Sequence, residues 1–232
     1  MSLEQKYDTF YSNDTHTGKH TDIEVRHWPV DRIQAILFVP LAGETILDVG
    51  CGDGRLLYQY REKFKNLIGL EYSQARLQAA KLKLTGLNFT GICGSAESMD
   101  TIATNSIDCI VSADVIEHIP DVYQATNEIF RVLKPGGKIV INTPNIAFIK
   151  KRLRLLRGKF PSTSQPNEGH GSDVLFDGGH LHYFTYRSLR ILLQRSGFMI
   201  IQEIGFGPFG RLHDTWRTGL SIGVQTVAVK PN

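Results

Sequence analysis

The stretch Thr45-Ile46-Leu47-Asp48-Val49-Gly50-Cys51-Gly52-Asp53-Gly54 decides how this chain folds. A short aliphatic run leads into glycines at every second position, which predicts a buried strand followed by a turn tight enough to bring bare backbone against a ligand. Leu56, Leu57, Tyr60 and Phe64 follow at helical spacing, so strand, turn and helix make one βα unit. The pattern then recurs. Residues 67–72 form a second strand, with Leu77, Ala80 and Leu84 on one face of the helix after it. Residues 88–93 and 107–113 read as third and fourth strands. Pro120 opens a helix through Val122, Ala125, Ile129 and Leu133, and Pro135-Gly136-Gly137 stops it ahead of a fifth strand at 138–143. Leu189, Leu192 and Leu193 belong to a helix ending at Gly197, after which strands at 198–204 and 223–229 follow with no helix between them. Such a pair is joined antiparallel. The expected fold is therefore α/β: a Rossmann-like, doubly wound, seven-stranded and mostly parallel sheet with an antiparallel last strand.

At 232 residues, one such domain accounts for the whole chain. It divides into an N-terminal cap at 1–42 with a helical stretch near 30–38, a half that builds the glycine turn at 43–143, a basic helix and lid insertion at 144–184, and a C-terminal helix with the last two strands at 185–232. Hydrophobic residues at 41% and charged residues at 21% exclude a disordered or fibrous chain and allow a packed core. The longest apolar run, 35–42, is broken by Pro40, far short of the roughly 20 residues a membrane span needs. The first ten residues lack the apolar core and cleavage pattern of a signal peptide. Three cysteines, Cys51, Cys93 and Cys109, are too few and too scattered for a disulfide framework, which points to a reducing compartment and a cytoplasmic location. The surplus of 26 Lys and Arg over 23 Asp and Glu is too small to indicate nucleic-acid binding by charge alone.

One local cluster departs from that balance. In residues 146–157, Ile146, Ile149, Leu153 and Leu156 share a helical face while Lys150, Lys151, Arg152, Arg154 and Arg157 crowd the rest. The plain expectation is an amphipathic helix packed by its Ile and Leu face. The functional alternatives are an anionic acceptor, RNA phosphates or an acidic membrane surface beside a lipid-linked substrate. Residues 158–180 then form a long Gly-, Ser-, Pro- and Asn-rich stretch of the kind used as a lid.

Arg55 stands where a dinucleotide fingerprint would need its third glycine, so a cofactor without pyrophosphate suits the turn better than a nicotinamide dinucleotide. Glu71, at the end of the second strand, is placed where a carboxylate accepts both hydroxyls of a ribose diol. Cys51 reads as a small residue in a crowded turn, with no base nearby to make it a nucleophile.

From residue 45 to 229 the chain resembles the class I S-adenosylmethionine-dependent methyltransferases. Residues Ile46 to Gly54 resemble the first family motif and Gly69-Leu70-Glu71-Tyr72-Ser73 the acidic second. Ser106-Ile107-Asp108 through Asp114-Val115-Ile116-Glu117-His118 resembles the fourth-strand motif, and Leu133-Lys134-Pro135-Gly136-Gly137-Lys138 the turn before the fifth strand. His180-Leu181-His182-Tyr183-Phe184-Thr185 and Ser196-Gly197-Phe198 are similar to the branch that methylates quinone precursors and other small or glycan-linked acceptors. The resemblance implies S-adenosylmethionine as cofactor and S-adenosylhomocysteine as product. It implies that the methionine end lies against Gly50 and Gly52, with Asp48 and Cys51 in the same turn and Ala113 and Asp114 at the end of the fourth strand. Glu71 then takes the ribose, and Tyr72, Ser95, Ala96 and Glu97 surround the adenine. Ser95 replaces an Asp common in relatives, so the carboxylate for the adenine amino group is either lost or its role passes to Glu97. Tyr11 and Arg26, with Tyr7 and Trp28, would close over the methionine end.

A sulfonium methyl is already electrophilic, so the protein has to align an acceptor, exclude water and remove a proton. His182, His180 and His118 are the expected bases. In an extended segment His180 and His182 point to one side and Leu181 and Tyr183 to the other. The expected reaction is methylation of a small acceptor at a hydroxyl oxygen, the acceptor being anionic or attached to a lipid or glycan, with no metal. Asp114, Glu117 and His118 would share a face if their turn is helical, and with His180 or His182 this resembles the metal site of RNA 3′-end 2′-O-methyltransferases. A metal-dependent RNA methyltransferase is thus one alternative, and a catalytically silent cofactor-binding partner subunit another.

Overall fold

The computed structural model describes residues 19–25, 27–164 and 179–232. Strands β1 (Thr45–Val49), β2 (Asn66–Glu71), β3 (Phe89–Cys93), β4 (Ile107–Ala113), β5 (Leu133–Pro144), β6 (Met199–Ile204) and β7 (Gly223–Val229) form one sheet in the order β3-β2-β1-β4-β5-β7-β6. The first five run parallel, and β7 lies antiparallel between β5 and β6. Strand order reverses between β1 and β4, and in an open α/β sheet the crevice outside the carboxyl ends at such a reversal is where ligands sit.

Alternation along the central strands divides the core between two faces. Leu47, Val49 and Ile110 turn to one side, where they meet α4 (Val122–Val132) and α6 (Tyr186–Arg195) through Ala125, Ile129, Leu189 and Leu193. Ile46, Cys109 and Val111 turn to the other, toward α1 (Arg32–Leu37), α2 (Arg55–Gln59) and α3 (Gln74–Lys83) through Ile36, Leu57 and Leu77. Each fully buried Leu or Ile stabilises the fold by about 1.5–3 kcal/mol, so these two layers fix the sheet and hence the crevice. Polar residues at the helix starts satisfy backbone amides: Ser73 caps α3, Asp121 caps α4, and Thr185 forms a reciprocal capping box with Ser188 in α6.

Two expectations need correction. Pro135-Gly136-Gly137 does not stop the helix, which ends at Val132; strand β5 already begins at Leu133. The three residues form a bulge instead, because Leu133 pairs with Ile107 and the next registered pair is Lys138 with Cys109. The basic helix is α5 (Ile149–Leu156), shorter than expected, and no residue in it is buried. Its apolar face is covered only at the N-terminal end: Ile146 and Ile149 are half-buried, but Leu153 and Leu156 are 42% and 83% exposed, and Leu155, off that face, 63%. Phe148, at the cap position before α5, is the residue that anchors this end of the helix to the fold.

Candidate active site

The turn after β1 has the strained backbone its glycines allow. Gly50, Gly52 and Gly54 have φ of 76°, 55° and 82°, in the left-handed region that costs side-chain-bearing residues most. The amides of Gly50 and Cys51 both donate to the carbonyl of Leu70, at 2.7 and 3.0 Å, pinning the turn to the end of β2. At Gly50 a Cβ would lie 2.3 Å from the Val115 side chain, so close approach as well as backbone angle demands glycine there.

Glu71 closes this turn. One carboxylate oxygen accepts from the Gly52 amide at 2.8 Å and the other from the Ser73 amide at 2.9 Å, and the side chain is buried. Asp48 is buried below the turn, and burial, reinforced by the charge of Glu71, pushes its carboxyl up to about 8. Cys51 is buried, and burial raises its thiol well above the usual range, in keeping with a packing role. Arg76 in α3 reaches over the turn, where its guanidinium would lie 2.8 Å from a Cβ on Gly52; nothing in the local sequence marks it.

Beyond β3, Tyr72, Ser95 and Glu97 are half-buried and Ala96 is buried. The Ser95 hydroxyl donates to Glu97 at 3.0 Å, and the other Glu97 oxygen accepts from the Asp121 amide at 2.8 Å. Glu97 thus ties this loop to the start of α4, and both of its oxygens are engaged.

At the end of β4, Ala113 is half-buried and Asp114 adopts φ of 51°, unusual for a residue with a side chain. The Asp114 carboxylate pairs with Arg32 of α1 at 2.5 Å; burial raises its pKa, against the lowering effect of Arg32. The following turn, Ile116–His118, is a single 3-10 turn that excludes Asp114, so the expected shared helical face does not form. Glu117 is buried, with one carboxylate oxygen accepting from Thr143 at 2.9 Å and the other without a hydrogen-bond partner among the described residues. Burial first, and Asp114 second, raise its pKa well above the carboxylate range.

The backbone of Glu117 fixes the histidines. Its carbonyl accepts from the amides of Leu181 and His182 at 2.7 and 3.1 Å, which lays residues 180–182 along the turn. His180 meets His118 edge to face with ring centroids 4.6 Å apart, and its Nδ1 lies 2.6 Å from the Thr163 hydroxyl. His118 Nδ1 lies 3.2 Å from the Gly179 carbonyl. Leu181 and Tyr183 point outward, as the alternation predicts. His182 does not join the pair; its Nε2 faces the Pro120 carbonyl at 3.3 Å. One ligand atom each from Glu117, His118 and His180 lie within 4.8 Å of one another, a spacing that suits either a shared proton or a cation.

Tyr7, Tyr11 and Arg26 lie outside the described residues. Trp28 does not close over the glycine turn. It stacks on His213 with centroids 5.6 Å apart and lines a groove with Glu203 and Arg217 at β6, the edge strand three places from β4. The Pro29 carbonyl, accepting from Gly207, holds the segment there.

The family described as a methyltransferase domain matches residues 47–141, the span from the glycine turn through Glu117 and His118 into β5. A ubiquinone biosynthesis O-methyltransferase of Nitrobacter winogradskyi is 28% identical over 193 residues, covering 82% of this chain and 69% of its own. Residues 47–141 form a class I S-adenosylmethionine-dependent methyltransferase domain. A Pseudomonas fluorescens protein of the same name matches the methyltransferase at 31% identity over 109 residues, 46% of this chain and 47% of its own. Among solved structures, an S-adenosylmethionine-dependent methyltransferase from Mesorhizobium loti aligns with TM-score 0.64 at 18% identity, over 84% of this chain and 95% of that one. A chain from the complex of the Haloferax volcanii Trm112 methyltransferase activator with a methyltransferase aligns with TM-score 0.69 at 18% identity, over 100% and 98%. At these identities the two structures establish the methyltransferase fold. The cofactor is S-adenosylmethionine. The buried Glu71 carboxylate, beside a glycine turn whose Gly50, Cys51 and Gly52 amides already bond within the protein, is an acceptor that fits a ribose diol. No helix among the described residues is long and apolar enough to cross a membrane.

Proposed function

We propose that this methyltransferase alkylates a hydroxyl oxygen of a small acceptor, with the cofactor seated on Gly50, Gly52 and Glu71 and the proton taken by the His118–His180 pair. S-adenosylmethionine supplies an electrophilic methyl on a sulfonium and leaves as S-adenosylhomocysteine. The remaining work belongs to the protein. Glu71 uses the lone pairs left after its bonds to Gly52 and Ser73 for the ribose diol, each charge-assisted bond contributing roughly 1.5–3 kcal/mol. Tyr72, Ser95 and Ala96 flank the adenine, and Asp114, held by Arg32, borders the methionine end.

The observation that carries the acceptor side is the contact of His180 with His118 over buried Glu117. A neutral imidazole accepts a hydroxyl proton at neutral pH, and burial, which raises the Glu117 carboxyl, disfavours a competing carboxylate charge beside the pair. The name of the Nitrobacter relative supports oxygen as the acceptor atom. Three free thiols support a reducing, cytoplasmic setting. Isothermal titration with S-adenosylhomocysteine and a methyl-transfer assay on phenols against amines test the proposal; saturable binding with turnover on phenols alone is expected, and turnover on amines alone refutes oxygen as the acceptor atom.

A second reading rests on the unpartnered Glu117 oxygen beside His118 and His180, a set of oxygen and nitrogen ligands that would hold a divalent cation for RNA 2′-O-methylation. Turnover on an RNA 3′ end that needs added Mn2+ and is abolished by a chelator would replace the first reading with this one. A silent partner subunit, an idea supported by the structural likeness to a chain from an activator complex, is rejected by any turnover of the chain alone.

A further inference from the structure

We infer that α5 and the segment after it form a docking surface for an anionic lipid bilayer. Leu153 and Leu156, three residues apart on one face of α5, are 42% and 83% exposed, Leu155 beside that face is 63% exposed, and Phe160 just past the helix is 46% exposed. Phe160 touches the exposed ring of Tyr183 with centroids 5.9 Å apart, so the apolar patch runs on to the 180–183 segment. Contiguous exposed apolar surface of this kind marks an interaction site, unlike single scattered residues.

Charge identifies the partner. Lys150, Lys151, Arg152, Arg154, Arg157 and Lys159 fall within ten residues, and no Asp or Glu stands between Ile146 and Ser164. The rest of the chain then carries 20 Lys and Arg against 23 Asp and Glu, so the positive charge is concentrated on this helix. Among the described residues, no carboxylate forms an ion pair with Lys150, Arg154, Arg157 or Lys159. An amphipathic helix with a cationic rim around aliphatic side chains lies in the headgroup region of an acidic membrane, leucines inward and long basic side chains reaching the phosphates. A nucleic acid would engage the cations and the rings of Phe160 and Tyr183 but leaves the three exposed leucines without a role, whereas a bilayer uses all of them.

The surface also leads to the active site. The Lys151 ammonium bonds the Ser162 carbonyl, and Thr163 next to it meets His180. An acceptor with a long apolar tail can thus keep the tail in the bilayer while its hydroxyl reaches the histidines, a consequence that rests on the function proposed above.

The test is flotation of the full 232-residue chain with vesicles of phosphatidylcholine alone or mixed with phosphatidylglycerol, at about 0.1 M and 0.5 M NaCl. Binding is expected only to the anionic vesicles, weaker at high salt. It should fall about tenfold or more in both Leu153→Asp/Leu156→Asp and Lys150→Glu/Arg157→Glu/Lys159→Glu, and stay unchanged in Leu82→Asp, an exposed leucine on α3. Absence of binding to anionic vesicles, equal binding to both compositions, or binding indifferent to the leucine variants would overturn the proposal. Binding to single-stranded RNA that charge reversal removes and the leucine variants leave intact would also overturn it, in favour of a nucleic-acid surface. S-adenosylhomocysteine titration of the same samples separates the two readings: vesicle binding without cofactor binding refutes the function and leaves the membrane surface standing.

Discussion

The Gly52 amide donates to the Glu71 carboxylate at 2.8 Å, so the acid at the end of β2 holds the glycine turn at the end of β1 in shape. Removing it should cost twice, once in the ribose contact and once in the turn. Glu71→Ala is expected to weaken S-adenosylhomocysteine binding by about 100-fold or more, read by titration calorimetry. Glu71→Gln, which accepts through a single oxygen, should fall between the variant and the parent.

Gly50 is pressed against Val115, which makes its replacement a stability test. Gly50→Ala places a Cβ 2.3 Å from Val115 and keeps φ at 76°. A loss of about 2 kcal/mol or more is expected in urea unfolding. Adding Val115→Ala should recover the part due to the clash and leave the part due to backbone strain; full recovery would argue against strain.

His180 and His118 act together in the proposed chemistry, whereas His182 faces a backbone carbonyl. His180→Ala and His118→Ala should each lower kcat by about 10²–10⁴ with S-adenosylhomocysteine affinity retained. His182→Ala should have the smaller effect. If His182→Ala alone abolishes turnover, the assignment of the base is wrong.

Asp48 makes stability depend on pH in a defined direction. Burial raises its carboxyl to about 8 in the fold, against about 3.9 in the unfolded chain. Between those values the folded protein holds a proton that the unfolded chain releases, so stability falls as pH rises through that window, by at most about 1.4 kcal/mol per pH unit for one group. Glu117, also raised, acts in the same sense. Urea unfolding from about pH 5 to pH 8 should therefore show declining stability, with a shallower slope in Asp48→Asn.

Much of this molecule was legible along the chain because its signals are local. Val49 running into Gly50 is enough to end a strand and turn, since only glycine takes positive φ at little cost, and two-residue alternation sorts Ile46 from Leu47 onto opposite faces without reference to distant residues. Glu71 was readable for the same reason, as the last residue of the next such strand. Reading failed where a local signal had a distant cause. Pro135-Gly136-Gly137 looks like a helix stop and is a bulge, because pairing with Ile107 and Cys109 claims the residues on either side.

Local pattern alone thus set the strands, the glycine turn and the acid beside it. Long-range packing set the pairing of His180 rather than His182 with His118, the ion pair of Arg32 with Asp114, and the exposure of the leucines of α5. These depend on where chain segments far apart in sequence are set down, as when the Glu117 carbonyl takes the amides of Leu181 and His182. Hydrogen bonds between backbone groups carry no residue identity, so no pattern of side chains announces them.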